Sequence, residues 1–139
     1  MIVIIAEKPS LARSVAKVIG IVNEHKAAGY IECRNDYAVT WVFGHILELA
    51  EPQAYDDKYQ RWNLADLPIR PNEWQLMVKK DAKDQYKNIQ ALLKQADSVV
   101  NCGDPDREGQ LLVDEVLLHL QCTKPTKRLL ILDPKDAAI

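Results

Sequence analysis

The chain has 139 residues, 47% hydrophobic and 27% charged, with a formal net charge of −2. That is one domain's worth, able to bury roughly 70% of its unfolded surface, and it points to an ordinary soluble protein with a real core. The near-neutral balance counts against an autonomous polyanion binder, while leaving room for a local basic site or a partner that supplies positive charge.

The first run, MIVIIAEKPS, follows no basic segment, precedes no cleavage site and is too short to span a membrane. A cytoplasmic protein without a targeting segment is expected. Ile2–Ala6 is rich in β-branched residues and bounded by charge, which predicts a buried strand. Pro9 then suits the first turn of a helix whose apolar face is Leu11, Val15, Val18 and Ile19, with Gly20 as its stop. GYIECRNDYAVTWVFG predicts a hairpin, with strands over 30–33 and 37–43 and a turn at Asn35 and Asp36.

Residues 44–73 mix prolines, acids and aromatics without a sustained period, which predicts a surface excursion with short helical pieces. A strand over 74–78 and a helix from Asp81, with Tyr86, Ile89, Leu92 and Leu93 on one face, come next. SVVNC, Ser98–Cys102, predicts a second short buried strand. After GDPDREG, the residues Leu111, Leu112, Glu115, Val116 and Leu120 carry a helical pattern to about position 121. A last strand is expected over 128–132, and DPKDAAI has the look of a further helix beginning. Strands separated by helices predict an α/β domain with a mostly parallel central sheet flanked by helices. Sites in such sheets form beyond the carboxyl ends of the strands, where Glu7-Lys8 and GDPDREG both fall.

Asp104, Asp106 and Glu108 alternate over five positions, with Glu7 at an equivalent strand end. Hard divalent cations take oxygen ligands, and Mg²⁺ uses one or two carboxylates plus waters and phosphate oxygens. A cation bound by Glu7, Asp104 and Asp106 would offset their repulsion. The competing reading is turn and N-cap chemistry, in which the aspartates satisfy free backbone N–H groups. Lys8 is either a solvated ion-pair partner or a point charge on a phosphate oxygen. Neither G-x-x-x-x-G-K-[ST] nor G-x-G-x-x-G occurs. Cys33, Cys102 and Cys122 are far apart and form no zinc pattern, so buried thiols are expected. His25, His45 and His119 are isolated, which reads as structural; the alternative for His45, which follows VFG at another strand end, is an approach to the same site. In YDDKYQRWNLADLPI, Arg61 and Trp62 either contact a phosphate and stack on an unpaired base, or help pin the excursion to the body.

IIAEKPSLARSVAKVIG together with GDPDREGQLLVDEV resembles the Toprim domain, a Rossmann-like fold shared by topoisomerases, primases and some nucleases. VTWVFGHILELAEP and YDDKYQRWNLADLPI narrow the resemblance to the N-terminal region of bacterial topoisomerase III, a type IA DNA topoisomerase. It runs through nearly the whole chain and weakens after about residue 121. It implies that 1–139 is a Toprim domain, the N-terminal part of a longer multidomain enzyme, with the 44–73 excursion inside it. Enzymes of this kind cut one DNA strand through a tyrosine, pass another strand and reseal, without ATP and with Mg²⁺, for which Mn²⁺ can substitute.

Carried over by motif position, Glu7, Asp104 and Asp106 would hold the metal. Glu7 would also move a proton at the departing 3′-oxygen, and Lys8 would contact the scissile phosphate. Arg61 and Trp62 would lie near single-stranded DNA. Arg107 would orient the acids, and Glu108 shares the motif with a role left open. The family's nucleophilic tyrosine matches none of Tyr30, Tyr37, Tyr55, Tyr59 and Tyr86, so this stretch alone is expected to be inactive. Partners implied are single-stranded DNA and the remaining topoisomerase domains that carry the tyrosine. The implied setting is a bacterial cytoplasm, associated with the nucleoid, with no membrane. A primase-like or nuclease-like Toprim protein is the alternative. A non-catalytic module and a response-regulator-type phosphoacceptor fit less well.

Overall fold

The computed structural model describes residues 1–132, so the helix expected at DPKDAAI lies outside the described residues. The central sheet has the order β2-β3-β4-β1-β7-β8. Its parallel part comprises β4 (Tyr37–Trp41), β1 (Ile2–Ala6), β7 (Ser98–Cys102) and β8 (Thr126–Arg128). The antiparallel edge is a meander of β2 (Ile21–His25) and β3 (Tyr30–Cys33) feeding into β4.

Strand β1 explains the layering. Its alternate residues serve two different cores: Val3 and Ile5 pack with Val99 on one face, Ile4 and Ala6 with Val39 and Cys102 on the other. A strand apolar on both faces must be covered on both. Helix α1 (Pro9–Ile19) covers one face through Leu11, Ala12, Val15 and Ala16. Helices α2 (Lys83–Gln95) and α3 (Arg107–His119) cover the other through Ile89, Leu92, Leu93, Leu112, Val113 and Val116. Each fully buried aliphatic side chain stabilises the fold by roughly 1.5–3 kcal/mol relative to exposure.

The expected stop of α1 is realised at Gly20, whose φ of 103° is left-handed and whose N–H donates to the Ala16 carbonyl. The hairpin turn places both Asn35 (φ 57°) and Asp36 (φ 62°) in the left-handed region, as a turn matched to strand twist requires.

Several strand expectations need correction, among them the hairpin's second strand, which ends at Trp41 rather than at 43. Strand β2 was not foreseen, because IVNEH is largely exposed at the sheet edge and has no buried alternation to mark it. The last strand lies at Thr126–Arg128 rather than 128–132. Its partner β7 ends one residue past the Asn101–Arg128 pair, so pairing beyond that point has nothing to continue on. The strand expected over 74–78 shortens to β6 (Leu76–Val78), because its antiparallel partner β5 (Leu47–Leu49) has only three residues.

These two strands form a small separate sheet at the base of the excursion. Between them run three short 3₁₀ helices, Pro52–Ala54, Asp57–Gln60 and Leu64–Asp66, the last two capped by the Asp56 and Asn63 side chains. The base is fastened to the body. Tyr55 Oη accepts from the Gln75 N–H at 2.9 Å, and His119 on α3 bridges the Leu76 carbonyl (3.2 Å) and the Tyr86 hydroxyl (2.7 Å). Cys33 and Cys102 are buried, whereas Cys122 is half-buried. Burial pushes the Cys102 thiol up to about 11, which keeps it an inert thiol. Among the described residues no helix is long and apolar enough to cross a membrane.

Candidate cation site at the sheet's carboxyl edge

Strands β1 and β7 are direct neighbours, with Ala6 level with Cys102. Their next residues, Glu7 and the Gly103-Asp104 turn, therefore emerge side by side. The Asp104 N–H donates to Glu7 Oε2 at 2.9 Å, which ties the two strand ends together. Lys8 Nζ lies 3.1 Å from Asp104 Oδ2 and 3.9 Å from Glu7 Oε1. The three side chains are 50% (Lys8), 37% (Asp104) and 19% (Glu7) exposed, so the cluster opens to solvent. The hydrogen bond to Asp104, followed by the fields of Asp104, Glu7 and Asp106, holds the Lys8 ammonium above its usual range. Lys8 is thus a cation under working conditions.

The two aspartates differ in their partners. Asp106 is the N-cap of α3, its Oδ1 accepting from the Gly109 N–H at 2.7 Å. Asp104 caps nothing and turns its carboxylate to Lys8. Glycine is required where the turn meets the helix. A Cβ on Gly103 would run into the Gly109 carbonyl, and one on Gly109 into the Asp104 backbone. Two glycines in contact let the acidic turn fold flat against the first turn of α3.

Does this donor set suit a divalent cation? Every donor is a carboxylate oxygen, and the Lys8 ammonium already stands where Glu7 and Asp104 both point, a positive charge supplied by the chain itself. Among the described residues no three His, Cys, Asp or Glu side chains gather into a metal cage. A carboxylate pair open to solvent suits a hard cation completed by water and phosphate oxygens, not a structural zinc or an all-protein calcium shell.

Beside this cluster lies a cleft of about 520 Å³, whose walls include Lys8, Ser10, Ser14 and Asp106 and, on the apolar side, Leu11 and Ile131. His45 goes elsewhere: its Nδ1 is 3.0 Å from Glu115 Oε1 and its Nε2 3.9 Å from Glu108 Oε1, so it engages the acids of α3 and not Glu7 or Asp104. Glu108 is otherwise solvent-facing. Arg61 and Trp62 line a second cleft of about 370 Å³ in the excursion, which shares no lining residue with the first. Trp62 is 88% exposed, so it pins nothing to the body.

Arg107 is exposed, and its side chain makes no hydrogen bond or ion pair among the described residues. The arginine that holds the acidic turn is Arg128, on β8. Its Nη2 donates to the Asp104 carbonyl at 2.6 Å, and its Nη1 to the Gly103 carbonyl at 2.8 Å and Asn101 Oδ1 at 2.9 Å. Sequence reasoning missed Arg128 and Asn101. The one available signal was a polar Asn101 inside the otherwise apolar SVVNC strand.

Over 139 residues the chain is 48% identical to a protein from Vibrio cholerae named DNA topoisomerase 3, covering 97% of this chain and 21% of that protein. Proteins of the same name from Salmonella typhimurium and Bacillus thuringiensis are 55% and 40% identical, covering 84% and 99% of this chain and 18% and 19% of theirs. The chain therefore spans about a fifth of the length of the relatives it matches. Residues 2–134 match the Toprim domain family, in agreement with the α/β layering and the paired strand-end acids, and the chain belongs to that family.

Proposed function

We propose that this chain is the cation-binding Toprim domain of a type IA topoisomerase of the topoisomerase III kind, acting in the bacterial cytoplasm on single-stranded DNA. The observation that carries the reading is the Lys8 ammonium set between the Glu7 and Asp104 carboxylates at neighbouring strand ends. Toprim domains of topoisomerases bind divalent metal, and the relatives bear the name of a topoisomerase, not of a primase or nuclease.

Glu7 and Asp104 would hold the divalent cation, Mg²⁺ or Mn²⁺. Asp106 would contribute with its second carboxylate oxygen, the first being engaged in the helix cap. The chemistry the cation supplies when bound is neutralisation of charge on the phosphate and the departing oxygen. Lys8 binds a non-bridging phosphate oxygen, exchanging its present carboxylate partner for the substrate. Glu7 moves the proton at the 3′-oxygen, since an alkoxide leaves more readily once protonated. Arg61 and Trp62, exposed on the excursion, hold an unpaired strand by a phosphate contact and base stacking. The nucleophilic tyrosine comes from another domain of the parent enzyme.

Two measurements test this. Mn²⁺ titration of the wild-type chain and of Asp104→Asn should show weak binding lost in the variant; identical curves would remove the cation site. Incubation of the isolated chain with single-stranded DNA should give no covalent protein–DNA adduct, and finding one would overturn the assignment of the tyrosine to another domain.

A further inference from the structure

Beneath the acidic turn lies a buried polar network separate from the carboxylates themselves. Asn101 is 1% exposed, on the face of β7 that packs against α3. Its carboxamide has two acceptor and two donor positions, and all four are used. Oδ1 accepts from the Gly103 N–H at 3.0 Å and from Arg128 Nη1 at 2.9 Å. Nδ2 donates to the Gln110 carbonyl at 3.2 Å and to Asp114 Oδ1 at 2.8 Å. The other Asp114 oxygen accepts from Gln110 Nε2.

Direction follows from chemistry. The Asp114 carboxylate and the Gln110 carbonyl only accept, so together they set which end of the Asn101 carboxamide faces α3. Turned over, the NH₂ group would meet the Gly103 N–H and the Arg128 guanidinium, donor against donor. The chosen orientation passes to the site through Arg128, whose Nη2 grips the Asp104 carbonyl at 2.6 Å. The same peptide segment sends the Asp104 N–H to Glu7 Oε2 at 2.9 Å. The Asn101 carboxamide is fully satisfied, while the Arg128 Nε is buried without a partner; the satisfied part of such a network rigidifies and selects a single arrangement, which an apolar filling would not do.

We propose that Asn101 and Asp114 are positioning residues for the Asp104 turn. Asp114, with the Gln110 carbonyl, sets the carboxamide, the carboxamide sets Arg128, and Arg128 sets the direction in which Asp104 presents its N–H to Glu7 and its carboxylate to the cation. The last step rests on the Glu7–Asp104 cation reading; the hydrogen-bond relay does not.

The test uses the full chain with four variants: Asp114→Ala, Asp114→Asn, Asn101→Asp and the exchange Asn101→Asp/Asp114→Asn. Three quantities are read: the Asp104 backbone amide NMR signal without metal, Mn²⁺ affinity, and melting temperature. Asp114→Ala removes the shorter of the two acceptors that hold the carboxamide NH₂, and Asn101→Asp sets a second carboxylate against Asp114. Both should move the Asp104 amide signal and weaken Mn²⁺ binding, by less than the about 10–100-fold lost when a direct outer partner of a metal ligand is removed, and Asp114→Ala by less than Asn101→Asp. Asp114→Asn keeps an acceptor and should stay near wild type. The exchange restores one donor facing one acceptor and should recover most of the signal and affinity lost in Asn101→Asp. A purely structural role would lower the melting temperature and leave the amide signal and Mn²⁺ affinity in place. That result in Asp114→Ala and Asn101→Asp would overturn the proposal, as would an exchange no better than Asn101→Asp alone. If the wild type binds no Mn²⁺, the cation reading fails, and the metal-free amide signal still decides the relay.

Discussion

Lys8 is the residue on which the site's present state turns. Its ammonium sits 3.1 Å from Asp104 and half exposed, so it competes directly with any incoming cation for the same two carboxylates. Exposed charge terms of this kind amount to ~1 kcal/mol. Lys8→Met should therefore tighten Mn²⁺ binding by about three- to tenfold, on that same ~1 kcal/mol scale, while weakening capture of a phosphate-bearing strand. Isothermal titration with Mn²⁺ measures the first effect, and unchanged or weaker affinity would show that the ammonium does not occupy the cation position. Sequence alone placed Glu7, Lys8, Asp104 and Asp106 at strand ends, because motif spacing and strand boundaries are local properties. It left two roles open for each aspartate, since a cap and a ligand have the same composition. The structure shows the cap for Asp106, through the Gly109 N–H, and an ion pair with Lys8 for Asp104.

At the scale of the element, the start of α3 is the critical joint. Asp106 caps it through the Gly109 N–H, so Asp106→Ala should cost about 1 kcal/mol, whereas Asp106→Ser keeps a capping oxygen and should cost only a few tenths. Urea unfolding of both variants separates the cap from the charge; equal stabilities would mean that the cap contributes nothing. Gly109→Ala is a different lesion, because its new Cβ has backbone in its way and cannot be relieved by a side-chain rotation. It should cost ~1–3 kcal/mol, the usual range for an added group in a filled space. The strands and helices of the core were readable from β-branched runs and helical spacing, as with Ser98–Cys102, whose bounds the structure reproduces. Strand β2 and the position of β8 were not, because their extent is decided by the neighbour that pairs with them.

Across the whole molecule, the amino terminus fastens the opposite end of the sheet. The Met1 amine lies 2.6 Å from Asp36 and 2.5 Å from Asp97, the residues that lead into β4 and β7. Hydrogen bonds to Asp36 and then Asp97 raise the amine above its ordinary 8.0, and the amine lowers Asp97 below its ordinary 3.8. The raised group contributes its stability fully below its unfolded value of 8.0 and loses it as pH rises through the folded value. The lowered Asp97 contributes above 3.8 and loses its part as pH falls through its depressed value. Wild type should thus lose more stability between pH 7 and 10 than Asp36→Asn/Asp97→Asn, as read by denaturant unfolding; equal losses would dissolve the clamp. The sequence by itself determined the α/β class, the two-sided burial of β1 and the strand-end position of the acids, since each follows from side-chain pattern along a few residues. Only the tertiary structure decided that Arg128, and not Arg107, grips the acidic turn, and that His45 joins Glu115 on α3. It also joined Asn101 to Asp114 under the site. Those contacts span up to 70 residues of chain, and the strand order that closes such distances is written in no local period.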